Sequence, residues 1–308
     1  MKKNIYILLL LFIITFNTKA QQLPLYSQYM LNDYVINPAI AGTQNYFQAK
    51  SNYRYQWAGI VDAPRTYILS VYGPHKTKDI GYGGYVYNDV TGPTSRTGIM
   101  LSYAYNFKLN DDIKLSFGLS AGLLQFKIDG SKIILHDDGD PSLGYGFFTD
   151  YIPDANIGGY LYSKKYYFGI SARQLLGNRV KFDDLKTQGL NKLKNHFYMH
   201  GGYRYDINSD FQINPSVIIK YMTPAPIQVD INAKVIYKKM VWLGGSWRSA
   251  DAFSILVGYL YNDQIMFGYS YDFTTSNIKN YSSGTHELMI AAKFNKIKQD
   301  NASKSKIE

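Results

Sequence analysis

The sequence predicts an all-β protein, a transmembrane antiparallel β-barrel of about fourteen strands with an N-terminal periplasmic segment. Three observations predict it. Apolar residues alternate with small or polar ones in run after run, no apolar run of eighteen residues follows Ala20, and tyrosine is abundant, at 30 of 308 residues beside 16 Phe and 3 Trp. The alternation gives each strand one apolar face. The missing apolar run excludes helical spans beyond the first twenty residues. Tyrosine suits a surface that is apolar along its body and wet at its rim.

The chain opens with Lys2 and Lys3, an apolar run from Ile5 to Phe16, and Thr18, Lys19 and Ala20 before Gln21. This pattern predicts a secretory signal peptide over 1–20, cut after Ala20. No lipobox cysteine follows, so a lipoprotein anchor is not expected. An N-terminal segment over 21–45 comes next, carrying Tyr26, Tyr29, Met30 and Tyr34 and the turn pair Asn37-Pro38. A stretch so rich in aromatics is not expected to be a free tail.

From residue 46 the alternation takes over. Leu101, Tyr103, Tyr105 and Phe107 share one face, opposite Ser102, Ala104, Asn106 and Lys108. Leu115, Phe117, Leu119, Ala121 and Leu123 oppose Ser116, Gly118, Ser120 and Gly122. Val229, Ile231, Ala233, Val235 and Tyr237 oppose Gln228, Asp230, Asn232 and Lys234, while Phe267, Tyr269, Tyr271 and Phe273 oppose Gly268, Ser270 and Asp272. Strands are expected near 46–55, 66–73, 80–87, 97–107, 113–126, 156–162, 166–173, 197–207, 211–221, 228–237, 241–248, 252–260, 265–273 and 286–294. The alternation alone also fits a soluble β-sandwich. Aromatics near strand ends and an even number of strands favour the outer-membrane barrel, spanning 46–294 and followed by a polar C-terminal tail over 295–308.

Connection lengths point the same way, because such barrels pair short periplasmic turns with longer outer loops. Short turns are expected at Pro74 to Asp79, Lys108 to Asp112, Ser163 to Lys165, Asn208 to Asp210, Lys238 to Met240 and Tyr261 to Gln264. The other connections, at 56–65, 88–96, 127–155, 174–196, 222–227, 249–251 and 274–285, are mostly longer.

Little in the chain suggests chemistry. It has no cysteine, which excludes disulfides, Cys-ligated zinc and thiol catalysis. Its net charge is +10, and removing the expected signal peptide with Lys2, Lys3 and Lys19 takes away three of those charges and leaves +7, an excess that is modest and spread out, so no nucleic-acid partner is expected. His136, Asp137, Asp138, Gly139 and Asp140 form the densest acidic cluster but lack the alternating ligands of a calcium loop, and a solvated turn is the expectation. His196 and His200 are four apart in a strand pattern, where they are only same-face neighbours. No G-x-S-x-G elbow, P-loop or H-E-x-x-H motif occurs, and Gly81 to Gly84 and Gly244-Gly245 lie inside strands. No catalytic, cofactor or metal residues are assigned, and the protein is expected not to be an enzyme.

Several ordered segments resemble a known family. LYSQYMLNDYVINPAIAGT (Leu25 to Thr43), YRYQWAGIVDAPRT (Tyr53 to Thr66), GYGGYVYNDVTGP (Gly81 to Pro93), YSYDFTTSNI and GTHELMI (Gly284 to Ile290) are similar to the corresponding stretches of the PorP/SprF outer-membrane proteins of the Bacteroidetes type IX secretion and gliding machinery. One departure is the polar tail that continues past Phe294.

The resemblance implies a protein of the cell outer membrane. It implies a non-enzymatic component of the secretion machinery that helps export or anchor cell-surface proteins. Its partners would be outer-membrane lipid and type IX secretion subunits, exported surface proteins, or both. Contact candidates are Tyr26, Tyr29, Asn37, Pro38, Trp57, Asn88, Asp89, His286 and Glu287. Each also has a structural reading, with Asn37-Pro38 and Gly92-Pro93 as turn punctuation, Trp57 as an interfacial aromatic and Asn88-Asp89 as a strand end. The alternative function is an outer-membrane diffusion channel for small or hydrophobic solutes. A barrel lipase or acyltransferase is a weaker rival, because no nucleophile and base stand out.

Overall fold

A computed structural model describes residues 26–133, 146–181 and 191–297. The expected signal peptide, most of the polar tail and the acidic cluster from His136 to Asp140 lie outside the described residues.

The chain forms β1 (Phe47–Tyr55), β2 (Arg65–Pro74), β3 (Ile80–Thr91), β4 (Thr94–Lys108), β5 (Lys114–Asp129), β6 (Phe147–Tyr162) and β7 (Tyr166–Arg173). A two-residue pair, β8 (Arg179–Val180) and β9 (Asn191–Lys192), decorates the next loop. Then come β10 (His196–Tyr203), the short β11 (Tyr205–Asp206), β12 (Phe211–Tyr221), β13 (Gln228–Tyr237), β14 (Val241–Arg248), β15 (Ala252–Tyr261), β16 (Ile265–Thr274) and β17 (Thr285–Phe294). Each long strand pairs antiparallel with its neighbours in sequence, β10 pairs with β12, and β1 closes the ring against β17. The result is a closed fourteen-strand barrel with no free edge running its full height, which is how a sheet satisfies its backbone in lipid.

Alternation decides what each strand shows to either side. Leu101, Tyr103, Phe117, Leu119, Leu123, Ile231 and Phe267 stand exposed on the exterior. Ser102, Asn106, Ser116, Ser120, Asp230, Asn232 and Ser270 are buried inside. Aromatic rings ring the exterior near both ends of the strands. Phe47 packs on Tyr82 and Phe294, and Phe107 on Tyr105 and Phe117, at the short-turn end. Tyr53 meets Tyr67, and Tyr271 meets Phe273 and His286, at the long-loop end. These are the two girdles of a membrane barrel.

The strands depart from expectation on one side of the wall. β6 begins at Phe147, not near 156, and the expected loop at 88–96 contracts to the turn at Gly92-Pro93, where Gly92 takes a φ of +56°. β4, β5 and β6 therefore run to 15, 16 and 16 residues and rise above their shorter neighbours. The extension survives Pro153 because only β5 pairs there. The β6–β7 ladder starts at Ile157, so the other edge makes no demand for the missing N–H. Val180 of β8 and Leu193, which follows β9, are buried in the same cluster as Phe126 and Ile152 of the tall wall.

The interior is filled. Tyr72, Tyr85, Tyr87, Met100 and Leu124 point inward and pack with residues of the N-terminal segment, which occupies the lumen from Tyr26 to Gly42. The alternation predicts small or polar inner faces, but bulky inward residues such as Tyr72, Tyr85, Tyr87 and Met100 pack against the segment instead.

Candidate functional site

The site is the lumen and the segment inside it. Two single-turn 3-10 helices, Asp33–Val35 and Pro38–Ile40, shape that segment. Asn37 starts the second by accepting from the Ala39 amide at 3.0 Å, and Pro38 occupies the first helical position, where a missing N–H costs nothing. The turns keep the segment compact and aim its side chains in several directions.

The inner wall is moulded to it. A Cβ on Gly81 would lie 2.0 Å from the Ala41 carbonyl oxygen, one on Gly118 2.3 Å from the Ala39 nitrogen, and one on Gly268 2.5 Å from Gln28 Oε1. Glycine is required at Gly81 and Gly118 because plug and wall touch backbone to backbone there, whereas Gly268 meets the end of the Gln28 side chain.

Polar contacts finish the seal. Tyr34 donates to Ser102 at 2.8 Å, and Ser102 pairs with Ser120 at 2.8 Å. Asn37 donates to the carbonyls of Gly159 and Ile170, and Ser171 donates to the Ile36 carbonyl at 2.9 Å. Lys50 donates to the Leu31 carbonyl and Asn232 to the Tyr29 hydroxyl. The segment runs along the barrel axis. Ala41 and Gly42 meet Asn106 and Gly81 near the short-turn end, whereas Ser27 lies level with Arg54 and Asp272 towards the long-loop end.

A buried charge network surrounds Ser27. Arg54 of β1 binds Asp272 of β16 at 2.8 Å and Glu287 of β17 at 3.1 Å. Arg248 of β14 binds Asp230 at 3.2 Å and Asp251 at 3.1 Å, and Lys220 of β12 reaches Asp230 at 2.8 Å. Ser27 stands between the two guanidinium groups. Its hydroxyl accepts from Arg54 at 2.9 Å and from Arg248 at 3.2 Å and donates to Asp272 at 2.7 Å. Its amide donates to Glu287 at 2.8 Å. Desolvating so many charges is costly, and mutual pairing with added hydrogen bonds is what makes it tolerable. The chemistry on display is binding and fixing, with cations matched to carboxylates across strands. Among the described residues no three-residue group of metal-ligating side chains assembles.

The structure divides the sequence-derived contact candidates. Tyr26, Tyr29, Asn37, Pro38 and Glu287 come together in the lumen, with Tyr29, Asn37, Pro38 and Glu287 fully enclosed. Trp57 sits in the loop between β1 and β2, with a φ of +55° and its amide donating to Thr285 Oγ1 at 3.1 Å. Asn88 pairs with Thr97 at 2.9 Å on β4, and Asp89 accepts from Thr66 at 2.6 Å on β2. His286 joins Tyr269 at 2.8 Å in the girdle, on the face opposite Glu287. Ser27, Arg54, Arg248, Asp230 and Asp272 were missed. Their signal, charged residues on faces otherwise small or polar, was present in Asp230 and Asp272, but nothing local links them to Ser27.

Comparison with known proteins adds what geometry alone does not. Residues 18–292 match the sequence profile of the family described as type IX secretion system membrane protein PorP/SprF. The chain belongs to the PorP/SprF family. No curated protein matches it in sequence. In fold, this PorP/SprF barrel is similar to the TodX deltaS2S3 mutant monoaromatic hydrocarbon channel, at 9% identity and a TM-score of 0.47 over 85% of this chain and 93% of that one. It is also similar to the outer membrane protein Omp33 of Acinetobacter baumannii, at 8% identity and 0.45 over 82% and 99%. A Pseudomonas aeruginosa FadL homologue gives 9% identity and 0.45 over 81% and 90%. As a PorP/SprF member with an apolar barrel exterior, the protein is an outer-membrane component of the type IX secretion system.

Proposed function

We propose that this barrel works as a non-catalytic binding platform of the type IX secretion machinery, helping exported proteins across or onto the cell surface through its rims and loops. The observation that carries this reading is the occupied lumen. With Ser27, Gln28, Tyr34, Asn37 and Ala39 each enclosed by wall residues, the barrel offers partners its surfaces in preference to a passage. Trp57 and Asp89 near the long-loop end are the contact residues proposed for secretion subunits or exported surface proteins. His286 and its aromatic neighbours are proposed to meet outer-membrane lipid.

Two measurements on the full chain test the reading. In planar bilayers it is expected to pass no steady current, and from native membranes it is expected to co-purify with secretion subunits or exported surface proteins. Steady conductance of small solutes with no co-purifying partner would overturn it in favour of a diffusion channel.

A further inference from the structure

We propose that Ser27–Asn32 is a register key for barrel closure, selecting the alignment in which β1 meets β17. These are the first and last strands, so their seam forms between the two ends of the sheet. Hydrophobic alternation cannot set that seam alone. A slip of one residue moves every side chain to the wrong face, but a slip of two returns apolar residues to the lipid and polar ones to the lumen.

In the observed alignment the lumen-facing residues Lys50, Asn52 and Arg54 stand opposite Ala291, Met289 and Glu287. A displacement by two puts Arg54 opposite Met289 or Thr285 and leaves Glu287 without its guanidinium. The segment reads both sides of this seam at once. On β17, Glu287 accepts from the amides of Ser27 and Gln28 at 2.8 and 3.3 Å, and its carbonyl accepts from Gln28 Nε2 at 3.0 Å. On β1, Arg54 donates to the Ser27 hydroxyl, and Asn52 accepts from Asn32 at 2.8 Å. Asn52 also donates to Glu287 across the seam at 3.4 Å. One rigid stretch of backbone therefore has to find a carboxylate on the last strand and a guanidinium and an amide on the first. Only one alignment supplies all three, and any other leaves charge buried without a partner.

The absence of native cysteine makes seam cross-linking a direct test in the full chain. Tyr53 and Leu288 face each other on the exterior, and Tyr53 is diagonal to Ile290 and His286. Directly opposed positions bring Cα atoms within disulfide reach of about 7 Å, whereas diagonal ones stand roughly 7–8 Å apart. Tyr53→Cys with Leu288→Cys thus reports the observed alignment, and Tyr53→Cys with Ile290→Cys or His286→Cys reports one displaced by two. Each pair is refolded into detergent micelles under oxidising conditions, and linked peptides are mapped by mass.

With the native segment, the 53–288 link is expected to exceed the displaced links by on the order of ten-fold or more, the ratio that one lost buried hydrogen bond sets. Adding Ser27→Val and Gln28→Ala is expected to bring the ratio down by about that factor. Tyr34→Phe weakens the plug at Ser102, away from the seam, and is expected to leave the ratio unchanged. Equal ratios in the native and Ser27→Val/Gln28→Ala backgrounds would overturn the proposal, as would an equal loss in Tyr34→Phe. Should the double substitution prevent any closure, Ser27→Ala removes the hydroxyl alone and keeps the Gln28 Nε2 bond to the Glu287 carbonyl. An intermediate ratio there supports the key, and an unchanged ratio rejects it.

Discussion

Asn37 Oδ1 lies 2.0 Å from where the β-carbon of any other residue at Gly158 would sit. Plug and wall are thus in contact through an atom that also holds the Ala39 amide. Gly158→Ala must shift the Asn37 side chain or the β6 backbone, at a cost of about 1–3 kcal/mol as for other overpacked cores. Its neighbour Gly159 faces outward, with its nearest contacts at an ordinary 3.7 Å, and Gly159→Ala is expected to stay within about 0.5 kcal/mol of the native chain. Urea titration of the folded barrel in micelles, read by heat-modifiable gel migration, compares the two. Equal cost at both positions would contradict the tight fit.

Leu119 and Ser120 are adjacent and face opposite ways. Leu119→Arg places a charge on the lipid face mid-strand and is expected to cost about 2–4 kcal/mol. A water-filled lumen would tolerate Ser120→Arg. Ser120 is instead enclosed and bonded to Ser102, which holds Tyr34, so both arginine substitutions are expected to destabilise. Ser120→Ala removes the hydroxyl alone and is expected to cost about 1 kcal/mol in the same titration. Free tolerance of Ser120→Arg would show that the plug is easily displaced.

Arg54 is the shared cation of two carboxylates. Arg54→Met leaves Glu287 buried without a cation and Asp272 with only the Arg248 guanidinium at 3.6 Å, and the expected destabilisation is about 3–5 kcal/mol. The exposed pair between Lys108 and Asp111, at 3.4 Å, is the comparison, and Asp111→Ala is expected to change stability by less than about 1 kcal/mol. A similar midpoint shift for the two substitutions would mean that the lumen is open to water around Arg54.

Orientation is tested by labelling. Val61, in the loop between β1 and β2, is 87% exposed, and Asp111 lies in the turn between β4 and β5. If the longer loops face outside, Val61→Cys reacts with an impermeant thiol reagent on intact cells, and Asp111→Cys reacts only after the outer membrane is permeabilised. The reverse pattern would invert the barrel.

Much of this architecture is legible in the sequence, and the reason is local. Leu119 and Ser120 declare opposite faces because a strand's side chains alternate with period two. Lys238 to Met240 and Ser163 to Lys165 declare turns by interrupting the alternation. The same locality explains the misreadings. Asn88-Asp89 reads as a strand end and Pro153-Asp154 as part of the connection at 127–155, yet both lie within strands. Whether a proline or an acid is tolerated there depends on which edge is paired and which neighbour donates a hydrogen bond, as Thr66 does to Asp89.

By itself the sequence determined an all-β chain, the approximate number of strands, the face each strand turns to lipid, and, through its ordered motifs, the family it resembles. Only the tertiary structure decided that the segment from Tyr26 to Gly42 lies in the lumen and that Ser27 is held by residues from β1, β14, β16 and β17. Strand alternation is a preference that each stretch satisfies with its own neighbours. A buried charge has no such local solution, because Arg54 and Glu287 become partners only when the two ends of the sheet meet and exclude the water that would otherwise solvate them.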